Sequence, residues 1–413
     1  MRYLIKDATV LKDNQQTTGV DLLIENGVLL DMGSKLSDPN AKTIKGEDLW
    51  VFPGFCDIGA QAKDPGYEHR EDIQSLQKTG ASGGYTQIAV FPNTNPVVQN
   101  KAEVHYIQNG QDWDAPCTLH SIGAITQKCA GTDIAEMLEM NHAGALAFSD
   151  GRKPVQIGGV MLRALLYVKT FDGLIINRPE DESLFHEPQM HEGITSTSLG
   201  MRGQSGLAEE IMLERDLSLL KYTDSKLMVY GVSSAKSVEM IRQAKKEGLQ
   251  VTAATCIWNL IYTDEDLATF DVNYKLKPML RSAGDRQALV DGVNDGTIDI
   301  IVSNHDAYDA EDKKLEFPYA KFGALGLQTM FSVYESYLAS KIDILTFVQA
   351  ISSKPKAILN LEQARLEKGQ QVDLCVFDRK ASWDYNASTN TSKCDNSPVM
   401  HQTLQAKHIL TLN

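Results

Sequence analysis

The sequence predicts an α/β protein: a (β/α)8 TIM-like barrel joined to a small composite β-sandwich made from both chain ends. Three observations carry this. Eight short apolar segments, separated by amphipathic stretches, recur between residues 51 and 306. The first fifty residues are instead dense in strand and turn signals. A strand signal returns after about residue 360, once the alternation has stopped.

At the N-terminus, RYLIKDATVL, VDLLIENGVLLDMG and DLWVF read as short strands between Asn, Gly and Asp turns. The eight apolar segments follow as VFPGFCDIGA, YTQIAVFPN, CTLHSIGAI, GALAFSD, GLIINRPED, SKLMVYGVSS, LQVTAATC and IDIIVSNHD. They carry few polar positions, as strands of a parallel sheet buried on both faces do. Between them IAEMLEMNHAG, LAEEIMLERDLSLLKYTD and AKSVEMIRQAKKEG place apolar residues at i, i+3, i+4 and i+7, the helical period. Eight such units in about 300 residues suit a closed barrel. The competing doubly wound open sheet lacks a G-x-G-x-x-G after its first strand. Near the end, QVDLCVFDRK and AKHILTL read as strands, with the polar SWDYNASTNTSKCDNSP between them expected as an exposed loop. The expected division is 1–52 with 361–413 as the sandwich, and 53–360 as the barrel.

Charge and cysteine usage narrow the function classes. The 413 residues carry 40 Lys+Arg against 54 Asp+Glu, a formal net charge of −14. A nucleic-acid surface would need the opposite balance. The six cysteines (Cys56, Cys117, Cys129, Cys256, Cys375, Cys394) form no CxxC pair, a poor zinc cage and a poor disulfide framework. MRYLIKDATVLKD has no signal-peptide h-region, and no apolar run approaches the roughly 18 residues of a membrane span. A cytoplasmic protein with neither nucleic-acid nor membrane partners is expected.

The stretch VFPGFCDIGAQAKDPGYEHREDIQSLQKTGASGGYTQIAVFPNTNP resembles the opening barrel segment of dihydroorotases of the amidohydrolase superfamily. AFSDGRKPV, NRPEDESL, VNYKLKPMLRS, DGTIDIIVSNHDAY, KFGALGLQT and KGQQVDLCVFD extend the resemblance in family order over nearly the whole chain. It implies a barrel of the metal-dependent hydrolase type and a place in pyrimidine biosynthesis. Active members open a cyclic amide at a one- or two-zinc centre, where the metal lowers the pKa of bound water and polarises the ring carbonyl. Such a centre needs imidazole and carboxylate donors.

Carried over position by position, the resemblance finds those donors replaced. The family's Asp-x-His-x-His reads Asp57-Ile58-Gly59-Ala60-Gln61, and the arginine two residues on is Lys63, a point charge in place of a bidentate fork. Ser/Thr-Asp-Asp-Gly reads Ser149-Asp150-Gly151-Arg152, which puts Gly151 at the ligand position without gaps, or Asp150 after a one-residue shift. His-Cys-Glu-Asp reads Arg178-Pro179-Glu180-Asp181, and His-Ile-Ser reads Gly231-Val232-Ser233. Thr-Asp-His-Ala-Pro-His reads Ser303-Asn304-His305-Asp306-Ala307-Tyr308. The general base, an aspartate in active members, is thus Asn304, whose amide takes no proton from water. The substrate contact Asn93 is retained, whereas another asparagine is Lys277.

The former metal positions are therefore Gly59, Gln61, Gly151, Arg178, Gly231 and Asn304. The resemblance points to the non-catalytic, pseudo-dihydroorotase members, with no metal or cofactor expected. Of the nine histidines, His120 and His305 are placed to face the barrel mouth, yet no His-x-His or HExxH spacing exists. Losing zinc would leave Asp57 and Asp150 without compensating charge, which is costly for a buried carboxylate. An arginine–aspartate network running from Arg178 to these two acids is the expected filling, joined by Arg152, Lys63 and Lys277. The function expected is structural, as an assembly partner of the aspartate transcarbamoylase catalytic subunit, in a chain that itself forms a homodimer. Two alternatives stand beside it. One is an active cyclic amidohydrolase, a dihydroorotase or a hydantoinase-like enzyme with a rebuilt metal site. The other is an anion-binding regulator using Lys63, Arg178 and Lys277.

Overall fold

All eight apolar segments become neighbouring parallel strands in the computed structural model, which describes residues 1–12, 15–363 and 365–413. Five strands precede the barrel: β1 (Arg2–Lys12), β2 (Gln15–Glu25), β3 (Val28–Gly33), β4 (Lys42–Ile44) and β5 (Leu49–Pro53). The barrel opens with β6 (Phe55–Gln61), β7 (Tyr85–Phe91), β8 (Thr118–Gly123), β9 (Ala147–Phe148) and β10 (Leu174–Asn177). In the loop after β10, β11 (Met190–His191) pairs with β12 (Gly203–Gln204). Strands β13 (Lys226–Tyr230), β14 (Val251–Cys256) and β15 (Ile300–Val302) complete the eight.

These eight strands lie side by side in chain order. The last comes back against the first: the Ser303 amide donates to Asp57 (2.8 Å) and the Gln61 amide to the His305 carbonyl (2.9 Å). The barrel is thus nearly closed. Its interior is filled by alternate residues of each strand, among them Ile58, Ile122, Ile176, Met228 and Ile300, as the period of two demands. The opposite faces meet a helical ring that includes Leu207–Thr223 and Ala235–Lys246. IAEMLEMNHAG yields only one short helix, Met137–His142.

Both chain ends build the second sheet. Its order is β19-β16-β5-β1-β2-β3 with β4 beside β1, where β16 is Leu374–Asp378 and β19 is Lys407–Leu412. It encloses its own small core around Ile5, Leu22, Ile24, Val51 and Val376. Phe52 and Phe377 turn the other way, onto Phe331 of the barrel, with ring centroids 4.8 and 4.6 Å from it. The chain crosses between the two sheets at Gly54, where any Cβ would collide with Asp373 and Thr86.

The polar stretch expected as an exposed loop is one only in part. Ala387–Thr389 are exposed, but β17 (Trp383–Tyr385) pairs with β18 (Gln402–Leu404) just beyond the stretch, and Cys394, Asn396 and Ser397 are buried. The Asn396 amide donates to the Asp306 carbonyl (2.9 Å) and accepts from the Tyr308 amide (3.0 Å), while Ser392 donates to Glu71 (2.9 Å). Polar composition signals water exposure only where the groups lack partners in the protein, and here they have them.

Candidate functional site

The residues singled out from the sequence gather at the C-terminal ends of the barrel strands, the face on which sites of this fold are built. Gly59, near the end of β6, has φ +93°, and a Cβ there would lie 2.6 Å from the Tyr230 ring and 2.7 Å from the Phe91 ring. Those rings close β13 and β7 and meet edge to face, 4.9 Å between centroids. Gly231 also has a positive φ, and its Cβ would meet Pro278 at 2.8 Å. Aromatic carbon thus occupies the volume that a side chain at position 59 would need. The cavity left between Gln61, Arg178, Tyr230 and Asn304 is about 10 Å³, no more than about one water molecule requires.

The buried acids at the mouth are bound by neutral donors. Asp57 accepts from the Ser303 amide (2.8 Å) and hydroxyl (2.6 Å). Asp150 accepts from the Thr126 amide (2.8 Å) and hydroxyl. The network expected from Arg178 to these two aspartates is therefore not formed. Their oxygens are already taken, and Arg178 finds a closer carboxylate two residues on, pairing with Glu180 at 3.2 Å and donating to the Arg152 carbonyl at 2.5 Å. Burial pushes the Asp57 carboxyl up to about 6, although its Ser303 bonds pull the other way, and burial also raises Asp150.

Two carboxylates, not the expected pair, collect the cations. Asp306 accepts from Lys63 (2.6 Å) and from Arg152, which also donates to the Tyr308 hydroxyl and the Phe322 carbonyl (2.7 Å). Lys63 lies 4.8 Å from the centre of the Tyr308 ring. Glu180 accepts from Lys277 (2.5 Å) and Gln204 (3.1 Å) besides Arg178. Burial alone would raise the Glu180 carboxyl, but Arg178 and Lys277 together outweigh it and hold it at about 2.

The remaining residues play supporting roles. Asn304 has φ +50° and lines the small cavity at the mouth, its side-chain amide donating to the Lys277 carbonyl at 2.9 Å. Asn93 braces the loop after β9, donating to the Asp150 carbonyl (3.0 Å) and accepting from the Arg152 amide (2.9 Å). His305 and His120 do not face the mouth. His305 is fully buried with Nε2 on Glu71 (2.6 Å), while its Nδ1 accepts from the Gly326 and Leu327 amides. His120 sits in the first half of β8 with Nε2 on Gln87 (2.6 Å).

These residues do not fit a zinc ion at the barrel mouth. Among the described residues no three His, Cys, Asp or Glu side chains are grouped so as to hold a metal. Asp57, Asp150 and His305 each already satisfy other partners.

Among curated relatives, the dihydroorotase of Ruminiclostridium cellulolyticum is 36% identical over 401 residues, covering 96% of this chain and 94% of that one. The chain belongs to the dihydroorotase family. The dihydroorotase of Acetivibrio thermocellus agrees, at 37% identity over 398 residues and 96% of this chain and 93% of that one. The dihydro-orotase-like family model matches residues 49–237. Solved structures of similar fold include the L-hydantoinase (dihydropyrimidinase) of Arthrobacter aurescens, with TM-score 0.85, 22% identity, and 99% and 94% of the two chains covered. The dihydropyrimidinase of Brevibacillus agri gives TM-score 0.83 at 19% identity, covering 100% and 94%. The barrel of this dihydroorotase-family chain thus shares its fold with these two enzymes.

Sequence reading missed Glu180 and Asp306 as the acids of the mouth, and Phe91 and Tyr230 as its filling. Both acids stood within the quoted RPED and SNHDAY blocks, each within two residues of a replaced position. The rings end strands whose partners across the mouth are glycines, a large-against-small match that follows from close packing.

Asp57 and Glu180 have opposite signs in stability. Asp57 is ordinarily near 3.8 and reaches about 6 when folded. The folded chain therefore binds the proton first, and Asp57 adds stability as pH falls through 6, a gain lost again as pH rises. Glu180 is ordinarily near 4.5 and is held at about 2, so its contribution is present above 4.5 and lost on acidification toward 2. Denaturant titrations at about pH 7.5 and about pH 5.5 should show Asp57→Asn losing part of the wild-type gain on acidification. An unchanged slope would remove Asp57 from this role.

Proposed function

We propose that this dihydroorotase-family chain does not hydrolyse a cyclic amide and serves pyrimidine synthesis as a structural partner. The observation that supports this reading most is the closed barrel mouth, where Phe91 and Tyr230 fill the space over Gly59. With Asn304 at the general-base position, no described side chain there is free to take a proton from an attacking water. The carboxylates that remain are held by hydroxyl, amide and cationic partners of the chain itself. Such a site binds no metal and leaves the chain an assembly role. The partner that the family resemblance suggests is the catalytic subunit of an aspartate transcarbamoylase.

The test is ring opening and closure of dihydroorotate by the purified protein with zinc in excess. Turnover no greater than in buffer is expected. Turnover that a chelator abolishes would overturn the reading and restore an active dihydroorotase. Co-purification with the transcarbamoylase subunit at micromolar concentration checks the partner, and failure to associate would remove it.

A further inference from the structure

We infer that the open cleft above the closed barrel mouth binds a small molecule carrying two or more neighbouring negative charges. The cleft measures about 880 Å³, within the range of metabolite sites. Arg152, Arg178, Arg202, Lys275, Lys277 and Lys321 line it, against two carboxylates, Glu182 and Glu187. This is a local reversal of sign in a chain of net charge −14.

The positive charge is not neutralised from within. Lys63 and Arg152 share the single carboxylate of Asp306, and Arg178 and Lys277 share that of Glu180. Lys275 is 2% exposed, and its ammonium donates only to the Phe317 (2.7 Å) and Pro318 (2.9 Å) carbonyls. Lys321 has no ion-pair partner among the described residues, and Arg202 meets only the exposed Glu187 at 3.2 Å. Arg178, which shares Glu180 with Lys277, keeps a buried Nε without any acceptor among the described residues, so that one carboxylate leaves it under-satisfied. Guanidinium forks and ammonium groups match the oxygens of phosphate or paired carboxylates. Tyr319, 71% exposed at the rim, adds an aromatic face. The inference concerns occupancy of the cleft and stands whether or not the chain turns over dihydroorotate.

Calorimetric titration of the full chain at low ionic strength, with inorganic pyrophosphate and separately with citrate, tests it. Saturable binding of one equivalent is expected, weakening with added salt. The Arg202→Ala/Lys321→Ala variant changes two side chains that stand in water, and should weaken binding by at least about tenfold without moving the unfolding midpoint of the free protein. Lys321→Glu alone repeats the test should the double variant misfold. Tighter binding of pyrophosphate assigns the cleft to phosphate compounds, and tighter citrate to polycarboxylates; either supports the shared anion chemistry. No saturable binding of either probe, or equal affinity in variant and wild type, would overturn it.

Discussion

Gly59→Ala is expected to lower the free energy of unfolding by about 3 kcal/mol or more, read from urea denaturation. Two effects add. A Cβ at φ +93° is strained, at about 1–3 kcal/mol for such backbone conformations. The same carbon would press on the Tyr230 and Phe91 rings at 2.6 and 2.7 Å, and overpacking of this kind costs about 1–3 kcal/mol. Trimming the obstacle should return part of the loss, so Gly59→Ala/Tyr230→Leu is expected to be more stable than Gly59→Ala alone. A loss below about 1 kcal/mol would mean that the mouth yields easily. A larger side chain at position 59, a histidine among them, would then be accommodated at little cost.

Asp306→Asn carries the second large effect. Its carboxylate is the shared partner of Lys63 and Arg152, with side-chain exposures of 5% and 7% for Asp306 and Lys63. Removing one member of a buried ion pair costs about 3–5 kcal/mol, because the charge left behind has nowhere to go. The reverse deletion, Lys63→Met, still leaves Asp306 with Arg152 and should cost clearly less. Guanidinium unfolding of the two variants side by side measures the difference. Equal losses would show that Arg152 does not sustain the carboxylate by itself.

The barrel was legible because its signal is redundant. Each of the eight strands is short, apolar and set off by amphipathic helix, and one blurred boundary leaves the count intact. That Gly59, Arg178 and Asn304 lie at the mouth was also legible, since they stand within recognisable blocks. Their new contacts were not. Arg178 bonds Glu180 and not Asp57 because Ser303, just past β15 and 246 residues along the chain, already occupies Asp57. Pairing across that distance depends on barrel closure, which no local pattern encodes. The same holds for Asn396, whose polar neighbourhood reads as solvent-exposed until the Asp306 backbone is seen beside it.

The sheet drawn from both ends also sets the timetable of synthesis. Strand β5 is complete at Pro53, but its antiparallel partner β16 begins only at Leu374. At about 5–20 residues per second, the ribosome delivers that partner roughly 15–60 s later. Throughout that interval Trp50, Val51 and Phe52 form an unsatisfied edge on a nascent chain whose barrel is still being made. Until β16 emerges, β5 is paired on one side only, by β1, and its other edge stays open to non-native pairing.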